Sequence, residues 1–181
     1  MALIVETGQG GSDSESYISV ADASTFHTNR GNTAWAALAS DTVREQCLRR
    51  ATEYMIAEYR LRWKGVRGST TQALDWPRGL VERPDYSYTG SNGYTTISGD
   101  YYFPADEVPV EVQRACAELA LKASVSALAP DVGRVTTREK VDVIEIEYAV
   151  GSVPYVRYRA IDNMLAPFLN GRAGAVTVVR T

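Results

Sequence analysis

Residues 40–65 read SDTVREQCLRRATEYMIAEYRLRWKG, and they constrain the fold more than any other stretch. Ser40 offers a hydroxyl to cap a helix N-terminus, and Asp41 puts a negative charge in the first turn, where the helix dipole favours it. Val43, Cys47, Ala51, Met55 and Tyr59 then recur every four residues, and Leu48, Tyr54 and Ile56 widen the stripe. That spacing predicts about six turns of amphipathic helix. The cations of RLRWKG suit the negative helix end, and Gly65 is the expected stop. Glu45 with Arg49, and Arg49 with Glu53, lie one turn apart on the opposite face. Such pairs add only a few tenths of a kcal/mol each, so the apolar stripe must drive folding.

A helix with one apolar face needs a partner, and the chain supplies one after Pro109, a residue at home in a first helical turn. Val112, Cys116, Leu119 and Ala123 form one apolar row over 109–128, and Ala117, Leu121, Val125 and Leu128 form another. Glu111, Arg114, Glu118 and Lys122 leave only a narrow polar stripe. A helix apolar on two sides needs close neighbours on both. One neighbour should be the 40–64 helix, and the second is open to another subunit. The expected fold class is therefore mainly α, a small helical bundle built on two long helices at about 40–64 and 109–128. Around this single domain (residues 1–181) we expect a loop or β-hairpin insertion at 66–108 and a β segment at 134–150. The termini should be extended, with a C-terminal arm at 171–181.

Shorter signals fill in the rest. Ser19 and Asp22 form a capping-box variant for a helix over about 20–29, with Ala23, Phe26 and His27 inward and Gly31 as its stop. Trp76-Pro77 should force extended backbone at Trp76. The tyrosine-rich stretch PDYSYTGSNGYTTISGDYYF follows Pro84, and Ser91-Asn92-Gly93 is a good turn between strands at 85–89 and 94–97. The alternative is an ordered loop lying on a neighbour. Residues 135–150 read as a strand whose alternation slips between Val143 and Ile144, as at a bulge or a change of covered face. A short helix from about Arg157 should bury Ile161, Met164, Leu165 and Phe168, with Pro167 limiting its end. The terminal VTVV is a strand without a local partner, of the kind that pairs with another chain's edge.

The chemistry-bearing residue types are sparse. The single histidine, His27, has no acid or nucleophile beside it and reads as structural. Cys47 and Cys116 fall on apolar helix positions, in no metal-ligand spacing, and read as buried thiols in a reducing compartment. Gly8, Gly10 and Gly11 resemble a phosphate loop, yet no lysine or strand-to-helix context follows, so a plain turn is expected. Asp142, Glu145 and Glu147 read as a solvated strand face. No Walker sequence, serine elbow, HExxH, paired CxxC or dinucleotide fingerprint is present. We therefore expect no enzyme, and no catalytic, cofactor-binding or metal residues. The start of the chain lacks a secretory-signal pattern, and no apolar run approaches the roughly 20 residues that cross a bilayer.

Charge and aromatic content point towards contacts rather than chemistry. A net charge of −3 gives phosphate-backbone binding no general support. Eleven tyrosines against three phenylalanines favour surfaces that are apolar yet wet. The candidate partner-interface residues are Trp76, Pro77, Arg78, Tyr86, Tyr88, Tyr94, Tyr101, Tyr102, Val176, Val178 and Val179. The one cluster that suits DNA is Arg60, Arg62, Trp63, Lys64 and Arg67, whose other reading is a helix end with complementary charge.

The run SYISVADASTFHTNRGN followed by Trp35, then RATEYM, RWKG, TQALDWPR and VPVEVQRACAELAL, resembles a family of tailed-phage proteins often labelled DnaT-like single-stranded-DNA-binding proteins. Its members look like head–tail connector adaptors. The resemblance covers about residues 1–170, apart from 85–103, and its motifs are structural. It implies a helical virion protein of the neck, assembled in the host cytoplasm as a homo-oligomeric ring, a dodecamer, beneath the portal. The implied partners are other copies of itself, the portal protein through an extended arm, and a downstream neck, stopper or tail-terminator protein. Genomic DNA would pass through the lumen in transient, non-specific contact during packaging and ejection, with no membrane involved. The competing implication takes the label literally, as a replication accessory that binds single-stranded DNA.

Overall fold

Local capping fixes where the helices begin. Ser19 Oγ accepts from Asp22 N at 3.0 Å and donates to the Asp22 carboxylate at 2.6 Å, opening α1, Val20–Thr28. A one-turn helix α2, Thr33–Ala36, delivers Trp35 to the core. Ser40 Oγ accepts from Val43 N at 3.3 Å and opens α3, Asp41–Tyr59. Pro109 precedes α4, Val110–Ala123, and α5 is Arg159–Leu165, extended by a 3-10 turn over Ala166–Phe168. This computed structural model describes residues 2–84, 101–131, 138–141, 144–147 and 156–171. The fold is mainly helical, with small antiparallel two-stranded β elements.

The helix ends differ from expectation, for reasons that lie elsewhere in the chain. The third helix stops at Tyr59, well before Gly65. Trp63 turns inward there and bridges to Leu169, while Lys64 N donates to Phe168 O at 2.9 Å and Asn170 N to Arg62 O at 2.7 Å. These contacts with the end of the helical core outcompete one more helical turn. Gly65 follows at φ 67°, where a Cβ would lie 2.2 Å from the carbonyl oxygen of Gly79. The fourth helix stops at Ala123 instead of Leu128. Ser124 Oγ donates to Leu121 O at 2.7 Å, and Val125 and Ser126 both close on Lys122 O, which ends the regular ladder.

The core lies chiefly between α3 and α4. Cys47, Leu48, Ala51, Met55 and Tyr59 are buried with Val112, Ala115, Cys116, Leu119, Ala120 and Ala123. On its other sides α4 meets α5 and α1 of this same chain, which cover part of its second apolar row, while Val125 stays exposed. His27 seals the α1 contact: Nε2 donates to Ala117 O at 3.1 Å, and Nδ1 accepts from Asn32 Nδ2 at 3.0 Å. Burial holds its pKa below the ordinary value, with Arg30 adding slightly and Ala117 O and Glu118 opposing. Both cysteines are buried and free.

Strands β1, Val66–Arg67, and β2, Arg78–Gly79, pair antiparallel. A second antiparallel ladder joins residues 81–83 to 101–103: Arg83 N donates to Tyr101 O at 3.0 Å, Phe103 N to Val81 O at 2.8 Å, and Glu82 bridges Tyr102. This stem brings the two ends of the tyrosine-rich insertion together. The expected strands at 85–89 and 94–97 and the turn at 91–93 lie outside the described residues. Further on, β3, Arg138–Val141, pairs with β4, Ile144–Glu147, in a register that matches Val141 with Ile144. The single strand expected over 135–150 is thus a hairpin. The slip in alternation falls between two paired strands rather than at a bulge in one.

The joint at residues 60–83 as the candidate functional site

Between α3 and the insertion stem the chain ties itself into a joint, and most residues singled out for chemistry or contact meet there. Trp76 lies fully buried with its ring edge-on to Trp63 at 5.7 Å and to Phe168 at 5.6 Å, and Phe168 meets Phe103 at 5.0 Å. Pro77 is buried behind a cis Trp76–Pro77 bond. Its carbonyl accepts from Gln72 Nε2 at 3.1 Å, and Gln72 Nε2 also donates to Leu74 O at 2.9 Å.

Arg78 is the staple of this joint. The residue is 7% exposed, and its guanidinium donates to Lys64 O at 2.7 Å, Gly65 O at 2.8 Å and Asp75 O at 3.2 Å. Burial pulls its pKa below the usual value, and the nearby Asp75 charge works the other way. Asp75 is itself buried. Its Oδ1 accepts from Arg60 Nε at 2.9 Å, and its backbone N donates to the Tyr17 hydroxyl at 3.1 Å. Burial, reinforced by Asp75, pushes the Tyr17 hydroxyl well above its ordinary pKa. Trp76, Pro77 and Arg78 were expected at a partner interface; they are interior. An aromatic ring, a proline and a cation that feeds three carbonyls hold the corner together from inside.

The basic cluster is equally committed. Besides Arg60 on Asp75, Arg62 Nη1 pairs with Glu58 at 3.2 Å, Lys64 Nζ donates to Pro167 O at 2.8 Å, and Arg67 donates to Gln72 O. Trp63 is 3% exposed and offers no face to a base. The structure therefore brings the five residues together but spends them on the joint. Stacking on Trp63 is excluded in this fold, because the turn after Tyr59 drives the indole inward. What faces outward is aliphatic and cationic: Leu61, Val66 and Leu80 are exposed beside the half-exposed Arg60 side chain. Leu80 adopts φ 60°, a conformation that bulky residues avoid, and is held there between β2 and the buried Val81.

Tyr101 and Tyr102 sit half-buried on the insertion stem with their rings edge-on at 5.0 Å. Burial raises the Tyr101 hydroxyl pKa, with Glu82 adding to it. Tyr86, Tyr88, Tyr94, Val176, Val178 and Val179 lie outside the described residues.

Sequence reasoning missed a second polar centre. Glu6 is buried, and its carboxylate accepts from Gly8 N at 2.8 Å, Gly10 N and Gly11 N at 2.9 Å, and Ser14 Oγ at 3.0 Å. The glycine loop is indeed an anion cradle of the kind phosphate loops use, but its anion is the chain's own carboxylate. An acid two residues before a G-x-G-G run was the available signal. Among the described residues no three His, Cys, Asp or Glu side chains stand together as a metal site. Nor is any helix long and apolar enough to cross a membrane.

The joint is thus a shaped element held largely by its own contacts, although Asp75 Oδ2, Arg62 Nε, Arg67 Nε and the indole nitrogens of Trp63 and Trp76 are buried without a hydrogen-bond partner. No curated protein and no solved structure matches the chain. The sequence model of one family, described as "Putative DnaT-like ssDNA binding protein", matches residues 1–181. Because the match runs the whole length of the chain, the protein belongs to that family.

Proposed function

We propose that this chain is a structural subunit of a tailed-phage neck, a head–tail connector adaptor that closes a ring between the portal and the next neck protein. In that subunit α3 and α4 form the rigid two-helix body, and DNA passes through the lumen of the ring. The observation that supports this best is the fate of the basic cluster. Arg60, Lys64, Arg67 and the tryptophan are used to lock one segment of the chain against another, as befits a part whose shape is its function. The stem at 81–83 and 101–103 fits the same reading, since it fixes where a contact insertion leaves the body. Mild net acidity suits a passage that must not hold DNA.

Electron cryo-microscopy of virions, with an antibody to this chain, tests the proposal. A labelled ring at the neck is expected, and its absence there overturns the connector reading. The family description favours a second reading, single-stranded-DNA binding, which fluorescence anisotropy addresses at about physiological salt. Micromolar, salt-sensitive binding that Lys64→Gln and Arg67→Gln both weaken would support that reading. With Trp63 buried, such binding would rest on phosphate contacts and would not distinguish single strands by stacking.

A further inference from the structure

We infer that the free subunit pairs with a second copy of this chain across a two-fold axis at Leu80, on the face shared by the joint and the insertion stem. The stem ladder builds that face. Phe103 N donates to Val81 O and Glu82 bridges Tyr102, and the same register continues to set Pro104 beside Leu80 and Ala105 beside Gly79. A Cβ on Gly79 would accordingly stand 3.7 Å from that of Ala105. Val66 pairs with the same Gly79. The segment at 78–83 is therefore the middle of three, with 66–67 along one edge and 101–105 along the other.

The middle of the face is apolar. Leu80 is 64% exposed and holds φ 60°, so the chain bears a backbone cost to keep an aliphatic side chain in water. Its neighbour Pro104 is exposed as well, and it is a wall of a cleft of about 180 Å³ that also includes Phe103 and the 44% exposed Val110. Arg83 lies folded 5.1 Å over the Phe103 ring, which leaves the cleft mouth to the apolar groups. A leucine seated against Pro104 and Val110 would lose its exposure to water and offset the cost of its backbone.

Charge decides which partner fits. At the β1 edge Lys64 and Arg67 donate to the carbonyls of Pro167 and Gln72, so among the described residues neither charge meets a carboxylate at ion-pair distance. At the opposite edge the chain beyond Ala105 carries Asp106, Glu107 and Glu111, again with no ion pair among the described residues. Glu107 and Glu111 line the cleft itself. An apolar middle between a cationic and an acidic edge is complementary to its own copy. Rotation about an axis at Leu80 sets each cationic edge against the acidic edge of the other chain, with the two leucines between them. A nucleic acid would meet the acidic edge with repulsion, and a partner of one charge sign would match only half of the face. A two-fold contact is complete at two copies, so the pairing belongs to the free subunit and stands or falls without the ring proposed above.

Sedimentation velocity and oxidative trapping of the full chain test it. The unmodified protein should sediment as a dimer. Leu80→Cys, at the axis, should oxidise to a disulfide-linked pair of identical chains, whereas Val125→Cys, 84% exposed but away from this face, should not; the native thiols are buried. Leu80→Asn keeps a residue that tolerates positive φ and removes the aliphatic contact, so it should sediment as a monomer with an unchanged circular dichroism spectrum. Glu107→Lys/Glu111→Lys, at surface positions, should weaken pairing by about tenfold or more. A wild type that stays monomeric at every concentration overturns the inference. So does a Leu80→Asn protein that still pairs, or a Leu80→Cys protein that traps no better than Val125→Cys.

Discussion

Replacing Arg78 by Met tests whether the Trp-Pro-Arg corner is an internal staple or a contact surface. Methionine matches the length of the aliphatic stem but leaves the carbonyls of Lys64, Gly65 and Asp75 without their donors. Two of those bonds, at 2.7 and 2.8 Å, are short and charge-assisted, while the third, at 3.2 Å, is weaker. Hydrogen bonds to a charged group are worth about 1.5–3 kcal/mol each, and the cost of burying the guanidinium offsets part of that sum. The expected loss is about 3–5 kcal/mol, a large share of the roughly 5–15 kcal/mol that a domain possesses. It should lower the melting temperature by roughly 6–20 °C. Urea unfolding followed by circular dichroism and by tryptophan fluorescence gives the value, and Trp63 and Trp76 report from the joint itself. Arg78→Lys keeps the charge without the planar fork and should fall between wild type and Arg78→Met. A loss below about 1 kcal/mol, with assembly abolished instead, would refute the staple and return Arg78 to a contact surface.

Two further perturbations probe the helical core. Leu119→Ala, at a fully buried position on α4, should cost about 2–5 kcal/mol in the same urea assay, and an unchanged midpoint would mean that α4 does not pack as described. His27 should make stability pH-dependent in one direction. Its folded pKa lies below the ordinary value of about 6.5, so the unfolded chain takes up the proton first as pH falls. Stability is then full above that ordinary value and declines through the window beneath it. His27→Gln should remove this part of the slope below the ordinary imidazole value, and an identical slope in the variant would assign the titration elsewhere.

The helix starts were legible because their causes are local: Ser19, Ser40 and Pro109 each act on the next few residues. The ends were not. The third helix stops at Tyr59 because Trp63 has a better place against Trp76 and Leu169, a partner more than a hundred residues on. The same distance hid the fate of Lys64, satisfied by Pro167 O, and a shorter separation of 15 residues hid the pairing of Arg60 with Asp75. The hairpin at β3 and β4 was visible as a break in alternation. A bulge and a reversal break the period alike, and only the pairing of Val141 with Ile144 separates them. Glu6 was hidden for another reason: a carboxylate that fills a glycine loop from within leaves the same glycine spacing as a loop awaiting a phosphate.

These misreadings share a physical cause that bears on where contacts with other molecules lie. Tryptophan, arginine and proline attract attention as surface anchors because interfaces are enriched in Trp and Arg. In a chain of this size those same residues are also the most effective means of closing a loop on itself: a ring to fill a void, a fork to satisfy stranded carbonyls, a ring-locked φ to set direction. Trp63, Trp76, Pro77 and Arg78 serve the second purpose. Among the described residues, those left in water against their chemistry are plain aliphatics: Leu61, Val66 and Leu80 at the joint, Val125 and Val156 around the end of α4, and Ile4 and Val110 elsewhere. None carries a motif. Leu80 is also held at a backbone angle that costs energy, which packing within this chain does not repay, since its side chain is exposed. On the proposed ring reading, contact surfaces are to be sought at these exposed aliphatics, and the conspicuous motifs are what holds those aliphatics in place.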